Sequence, residues 1–102
     1  MRQNFRTYNL AVDFYRIART LRFPTHLREQ LNRAASSVVL NLAEGAGRAT
    51  RADQNRFFSI AFGSLRESQA ILDLAENTNS EVAKSADSLA AHIYRLIKSK
   101  GG

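Results

Sequence analysis

Apolar side chains recur at helical spacing in four segments of the chain. One face of the first segment holds Leu10, Phe14, Ile17 and Leu21. This segment ends at Phe23-Pro24, because the residue before a proline avoids the α region. Four amphipathic helices with short connections predict an all-α fold, an antiparallel up-and-down four-helix bundle. The faces of the other three helices are Leu27, Leu31, Ala34, Ala35, Val38 and Leu42; Phe58, Ala61, Leu65, Leu72 and Ala75; and Val82, Ala86, Leu89, Ile93 and Leu96.

Polar and glycine residues predict where these helices begin and end. Thr25 is expected to cap the second helix, Thr50 the third and Ser80 the fourth, because a hydroxyl can accept a bond from an unpaired amide of the first turn. Gly45 and Gly47 are expected to end the second helix by adopting positive φ. With these bounds the first helix has about 14 residues and the third about 27.

The third helix is predicted to carry more apolar surface than a short first helix can cover. Phe57 lies in its wide apolar arc, whereas Phe62 falls among polar residues. Gly63 interrupts the helix at a cost of about 1 kcal/mol relative to Ala. That cost suits close packing of another helix, from the same chain or from a second copy. We predict self-association, with Phe57, Phe62 and Gly63 as candidate contacts.

Two polar residues stand out near the end of the second helix. Asn41 lies between two leucines and requires hydrogen-bond partners, which the following loop can supply. Glu44 opposes the helix dipole unless Arg48 or Arg33 compensates its charge. The favoured interpretation is that Asn41 and Glu44, with Gly45 and Gly47, lock the loop between helices two and three. A direct ligand contact is the alternative.

The positive charge of the sequence is concentrated in its first half. The 102 residues form one predicted domain, residues 1–102, with a formal net charge of +6. Residues 1–51 hold nine arginines against three acidic residues. Guanidinium groups bind phosphates in a bidentate manner, so an anionic partner, RNA or DNA, is one interpretation. A solvated basic surface is the other. The candidate phosphate contacts are Arg16, Arg19, Arg22, Arg28, Arg33, Arg48 and Arg51.

The sequence offers little support for catalysis or for a bound cofactor. It has no cysteine, neither histidine follows a Glu at the spacing of di-iron bundles, and the glycines near residue 45 lack the remainder of a phosphate-binding loop. We therefore predict no enzymatic activity, no catalytic residue, no metal, no cofactor and no small-molecule substrate. No apolar stretch approaches the roughly 18 residues that span a membrane, and no secretory signal is evident. A cytoplasmic location without membrane contact is expected.

The chain resembles a known bacterial family. Its members are four-helix-bundle proteins first noticed as reading frames inside intervening sequences of large-subunit ribosomal RNA genes. The resemblance runs from about Phe5 to the end of the chain. It is densest over Arg33-Ala34-Ala35-x-Ser37-Val38-x-x-Asn41-Leu42-Ala43-Glu44-Gly45-x-Gly47-Arg48 and over Phe58-x-x-Ala61-x-Gly63-Ser64-Leu65-x-Glu67.

The resemblance implies a homo-oligomer, most simply a pentameric ring. It also implies an architecture similar to the accessory protein of diversity-generating retroelements, a basic pentamer that binds nucleic acid and works with a reverse transcriptase. The chain departs from the family at Val39, where proline is common, and in its short C-terminus. Two functions stay open: an oligomer that binds RNA or DNA through phosphates, and a structural or protein-interaction module without a nucleic-acid ligand.

Overall fold

Four helices form the whole of the regular structure in the described part of the chain. The computed structural model describes the backbone of residues 2–101 and the side chains of residues 5–98. Its helices are α1 (Arg2–Arg19), α2 (Thr25–Ala46), α3 (Arg51–Leu74) and α4 (Ser80–Gly101), and the described backbone contains no strand. The prediction of an all-α four-helix bundle is confirmed.

The helices stand at the corners of a square. Each packs against its neighbours in the chain, α1 also packs against α4, and the diagonal pairs make no close backbone contact within the described residues. The α1–α2 face is therefore opposite the α3–α4 face. The bundle measures 40 × 21 × 18 Å. We call the end containing residues 47–50 the junction end, and the end containing residues 20–24 and 75–79 the turn end.

The predicted faces of α2, α3 and α4 form the core, with Leu27 and Ala75 only half-buried at its margin. The face of α1 has the predicted period but is centred one residue later. Its buried residues are Thr7, Ala11, Phe14 and Ala18, whereas Leu10, Ile17 and Leu21 pack at the edge. Small side chains at the centre let α1 approach the other helices closely, so the larger apolar residues lie at its flanks. No helix in the described part of the chain has the length and hydropathy that crossing a membrane requires.

The predicted mismatch between the first and third helices was too large. α1 has 18 residues because the segment before Leu10 is also helical, and α3 has 24 residues because it ends at Leu74. The difference is therefore six residues, about half of the predicted one. Uncovered length is a weaker argument for self-association than the sequence indicated.

One predicted cap is confirmed and two are wrong. The Thr50 hydroxyl accepts a hydrogen bond from the Asp53 amide at 3.1 Å and caps α3. Thr25 lies inside α2, whose preceding residue, Pro24, makes no side-chain cap. Ser80 likewise lies inside α4. The cap there is the residue before it, Asn79, whose Oδ1 accepts from an α4 amide, Val82 N, at 3.0 Å.

The predicted positive φ of Gly45 and Gly47 is also wrong. No glycine of the described chain has positive φ, and Gly47 closes α2 at a φ of −90°. The left-handed residue is Glu76, with a φ of 54°, in the turn after α3. Gly45 is buried inside α2. Its requirement for glycine comes from space and not from backbone conformation.

Candidate nucleic-acid interface

The close contact between α2 and α3 at the junction end depends on Gly45. A Cβ atom on this residue would lie 2.8 Å from Cε1 and 2.9 Å from Cδ1 of Phe58, and 3.0 Å from Cβ of Phe57. The Phe58 ring is 1% exposed, so it lies within the packed core. The missing side chain of Gly45 thus allows an aromatic residue of α3 to pack against the α2 backbone.

Ion pairs hold the connection that follows Gly45. The Arg48 guanidinium lies 3.1 Å from the Glu44 carboxylate and 3.5 Å from the Asp53 carboxylate. The Gln54 amide donates to the Arg48 carbonyl at 3.4 Å. These contacts join the last turn of α2 to the first turn of α3. The expected compensation of Glu44 by Arg48 is present as this ion pair. That Glu44 helps to lock the loop stays a prediction.

Phe57 lies beneath two arginines of the junction. The guanidinium of Arg56 is 4.5 Å from its ring centroid and that of Arg48 is 5.3 Å away. Arg56 also approaches Asp53 at 3.6 Å. Both cations favour the electron-rich ring face, so Phe57 contributes to the order of the junction within its own chain. It is half-buried there.

Asn41 does not reach the loop, contrary to the prediction. Its Nδ2 donates to the Ser37 carbonyl at 2.9 Å and to the Ser37 hydroxyl at 3.0 Å, and that hydroxyl is 2.8 Å from the Ser64 hydroxyl. Since Ser64 belongs to α3, Asn41 supports a polar contact between the middles of α2 and α3. The carbonyl and hydroxyl oxygens of Ser37 lie one turn upstream on the same helix, within reach of the Asn41 amide group, which explains the choice of partner.

Phe62 and Gly63 have different surroundings. Phe62 is half-buried between α3 and α4, with its ring centroid 6.4 Å from that of Tyr94 and the Arg66 guanidinium 4.7 Å away. Gly63 faces open space, because an added Cβ atom would meet nothing within 4 Å. Of the three candidate contacts for self-association, Phe57 and Phe62 are engaged within the chain and only Gly63 opens to solvent.

The seven candidate arginines do not converge on one surface. Arg16 and Arg19 line a groove between α1 and α2, and Arg33 lies one turn before Ser36 of the same groove. Arg22 is at the turn end beside residues 75–79, and Arg28 follows in the first turn of α2. Arg48 and Arg51 are at the junction end.

The fold nevertheless concentrates the net charge. The Ser37–Ser64 contact lies near the middle of α2 and α3. When each helix is divided at its middle, seven basic and seven acidic described side chains balance on the turn-end side. On the junction side, six basic residues oppose two acidic ones, a balance of +4. We call this part the junction half. Its charged side chains are Arg6, Arg48, Arg51, Arg56, Arg95 and Lys98, with Glu44 and Asp53.

A comparison with protein-family models identifies the family of this chain. The model of the 23S rRNA-intervening sequence protein matches residues 5–100. The chain belongs to this family. The densest stretch of resemblance, residues 33–48, forms the second half of α2 and the locked junction. In this member of the 23S rRNA-intervening sequence family, that stretch supplies the Gly45 packing contact and the ion pair of Glu44 with Arg48.

Other comparisons give no match, either among curated proteins or among solved structures. The similarity to the retroelement accessory protein therefore stays a prediction. Within the described residues, no group of three His, Asp or Glu side chains could hold a metal ion.

Sequence reasoning missed several residues of the junction half. Arg6 was not among the candidate phosphate contacts, and Arg56, Arg95 and Lys98 contribute to its charge from outside residues 1–51. A signal was present in the predicted topology. In an antiparallel bundle the start of α1, the α2–α3 junction and the end of α4 share one end, so charges from distant segments add there.

Proposed function

We propose that this protein is a non-enzymatic, self-associating bundle that binds RNA or DNA phosphates through its junction half. The observation that carries the proposal is the distribution of charge: the described side chains of the junction half balance to +4, whereas those of the other half balance to zero. Binding of this kind needs no catalytic group.

The chemistry of the junction half fits a polyanion. Five of its six basic groups are arginines, whose planar guanidinium offers paired donors to phosphate oxygens. The acidic groups Glu44 and Asp53 are already paired with Arg48 and Arg56, so they do not cancel the field of the remaining cations. Concentrated positive charge also accelerates association with nucleic acid.

Binding of a short DNA duplex is expected to weaken steeply as salt rises. If one copy neutralises four phosphates, the slope of log affinity against log salt is about −3.6, and affinity falls about 150-fold between 50 and 200 mM salt. Fluorescence anisotropy with a labelled duplex measures this, and a labelled RNA strand of equal length tests the preference for RNA. Affinity that is absent, or independent of salt, would reject the proposal.

A protein-interaction module is the second candidate, because large apolar side chains are exposed. Leu74 is 71% exposed, Leu40 66% and Ile60 44%. Under this alternative the arginines only solubilise the bundle. A stoichiometric protein partner that stays bound after nuclease treatment, together with absent affinity for nucleic acid, favours this alternative.

A further inference from the structure

Two opposite faces of the bundle carry complementary charge. Residues 13–33, in α1 and the first half of α2, hold five arginines against Asp13 and Glu29, a balance of +3. Residues 66–87, in α3 and α4, hold five acidic residues against Arg66 and Lys84, a balance of −3. The square arrangement puts most of these side chains on opposite sides of one copy, whereas Arg22 and Glu76 line the same hollow at the turn end.

The α1–α2 face presents an apolar groove with basic margins. The groove has a volume of about 330 Å³ and includes Val12, Tyr15, Val39 and Leu40. Leu40 is 66% exposed, although its chemistry favours burial. Arg33 is seven residues before Leu40, so it lies two turns nearer the turn end on the same stripe of α2. Among the described side chains, Arg33 has no carboxylate within ion-pair distance.

The α3–α4 face presents a hollow beside an acidic site. The hollow has a volume of about 300 Å³ and is bordered by Phe62, Arg66, Ala90, Ala91 and Tyr94, with the Arg66 guanidinium 4.7 Å from the Phe62 ring centroid. Asp87 lies where this hollow meets the next groove and accepts one hydrogen bond, from Gln69 at 3.3 Å. No described cation forms an ion pair with Asp87. The nearby Arg66 guanidinium instead donates a hydrogen bond to Oε1 of Gln69 at 2.7 Å. Small alanines leave room for an incoming apolar side chain.

The two faces match in register as well as in charge. Arg33 and Leu40 are seven residues apart on α2, and Asp87 and Tyr94 are seven residues apart on α4, roughly 10 Å along each axis. α2 and α4 run in the same direction, and Arg33 and Asp87 are each about two turns from the start of their helix. Two copies placed side by side with parallel axes would bring Arg33 opposite Asp87 and Leu40 opposite the hollow.

We infer that the α1–α2 face of one copy packs on the α3–α4 face of a second copy, pairing Arg33 with Asp87 and burying Leu40 beside Phe62 and Tyr94. This contact rests on the self-association in the proposed function and assigns its surfaces. The two surfaces of this contact are different patches, so each copy binds one neighbour through its α1–α2 face and another through its α3–α4 face. The contact therefore repeats from copy to copy and forms a closed ring or an open filament. In a ring of copies with parallel axes, every junction half projects toward the same rim.

Charge exchange tests this contact. Nuclease-treated protein is examined by sedimentation velocity as wild type, Arg33→Glu, Asp87→Arg, the double variant and Leu40→Asp. Because like charges across an interface are strongly unfavourable, Arg33→Glu and Asp87→Arg are each expected to associate at least about tenfold more weakly than wild type. Leu40→Asp is expected to weaken association to a similar extent, because it replaces a buried apolar contact with a desolvated carboxylate. The double variant restores an opposite-charge pair and is expected to recover assembly. Arg28→Glu makes the same charge change on the same basic segment, away from the Arg33–Asp87 pair, and is expected to weaken assembly less than Arg33→Glu does. Circular dichroism checks that every variant is folded.

Each outcome has a separate meaning. A wild-type protein that sediments as an 11.4 kDa monomer overturns both this contact and the self-association in the proposed function. A wild-type oligomer that Arg33→Glu and Leu40→Asp leave intact overturns the contact alone. A double variant that folds but stays dissociated overturns the pairing of Arg33 with Asp87. Nucleic-acid binding is tested through other residues, so its failure is distinguishable.

Discussion

Gly45→Ala is expected to destabilise the bundle by about 1–2 kcal/mol. The added Cβ atom would lie 2.8 Å from the Phe58 ring, which is buried and cannot move without displacing its neighbours. Overpacking a core typically costs about 1–3 kcal/mol, and the better helix propensity of alanine offsets up to about 1 kcal/mol of that cost. Urea unfolding followed by circular dichroism measures the difference in the free energy of unfolding.

Gly63→Ala is the matched control, since it makes the same chemical change in the interior of the next helix. Its added Cβ atom meets nothing within 4 Å. Only the propensity gain is then left, and the variant is expected to be more stable than wild type by roughly 0.5–1 kcal/mol. The expected signs are therefore opposite. A Gly45→Ala protein as stable as Gly63→Ala would contradict the packing described for Phe58.

These two glycines show what the sequence could and could not predict about the fold. Helical periodicity predicted four helices, their order and most of their buried faces, because burial of one face is written directly into the spacing of apolar residues. Gly45 was read as a helix terminator and Gly63 as a site of close packing, whereas the structure gives close packing to Gly45. Only the relative position of α3 determines which glycine another helix approaches.

The candidate site was predictable in chemistry but not in place. The composition indicated that arginines could bind phosphates. The sequence also indicated Arg48 as one of two cations that could compensate Glu44, and these two side chains form an ion pair. The sequence assigned all the excess positive charge to residues 1–51. In the antiparallel fold, the excess charge instead belongs to one end of the bundle, to which segments from both halves of the sequence contribute. Arg22 and Arg28 thereby fall at the turn end, while Arg95 and Lys98 join the junction half. Side-chain partners such as Ser37 for Asn41 depend on local geometry that spacing alone does not resolve.

The variant Arg6→Gln/Arg51→Gln is expected to lose nucleic-acid affinity selectively. Both residues are exposed and contribute to the charge of the junction half. Removing two phosphate contacts reduces the slope of log affinity against log salt by about 1.8 on duplex DNA and lowers affinity about 60-fold at 0.1 M salt. Arg22→Gln/Arg28→Gln removes the same charge at the turn end and is expected to change the slope by less than about 0.5.

The salt slope of these two variants, measured by anisotropy with one labelled duplex, tests the central claim most directly. Circular dichroism and sedimentation of both proteins confirm beforehand that fold and assembly are unchanged. The account predicts a reduced slope for Arg6→Gln/Arg51→Gln and a wild-type slope for Arg22→Gln/Arg28→Gln. Equal losses in the two variants, or no loss in either, would contradict a phosphate-binding site in the junction half.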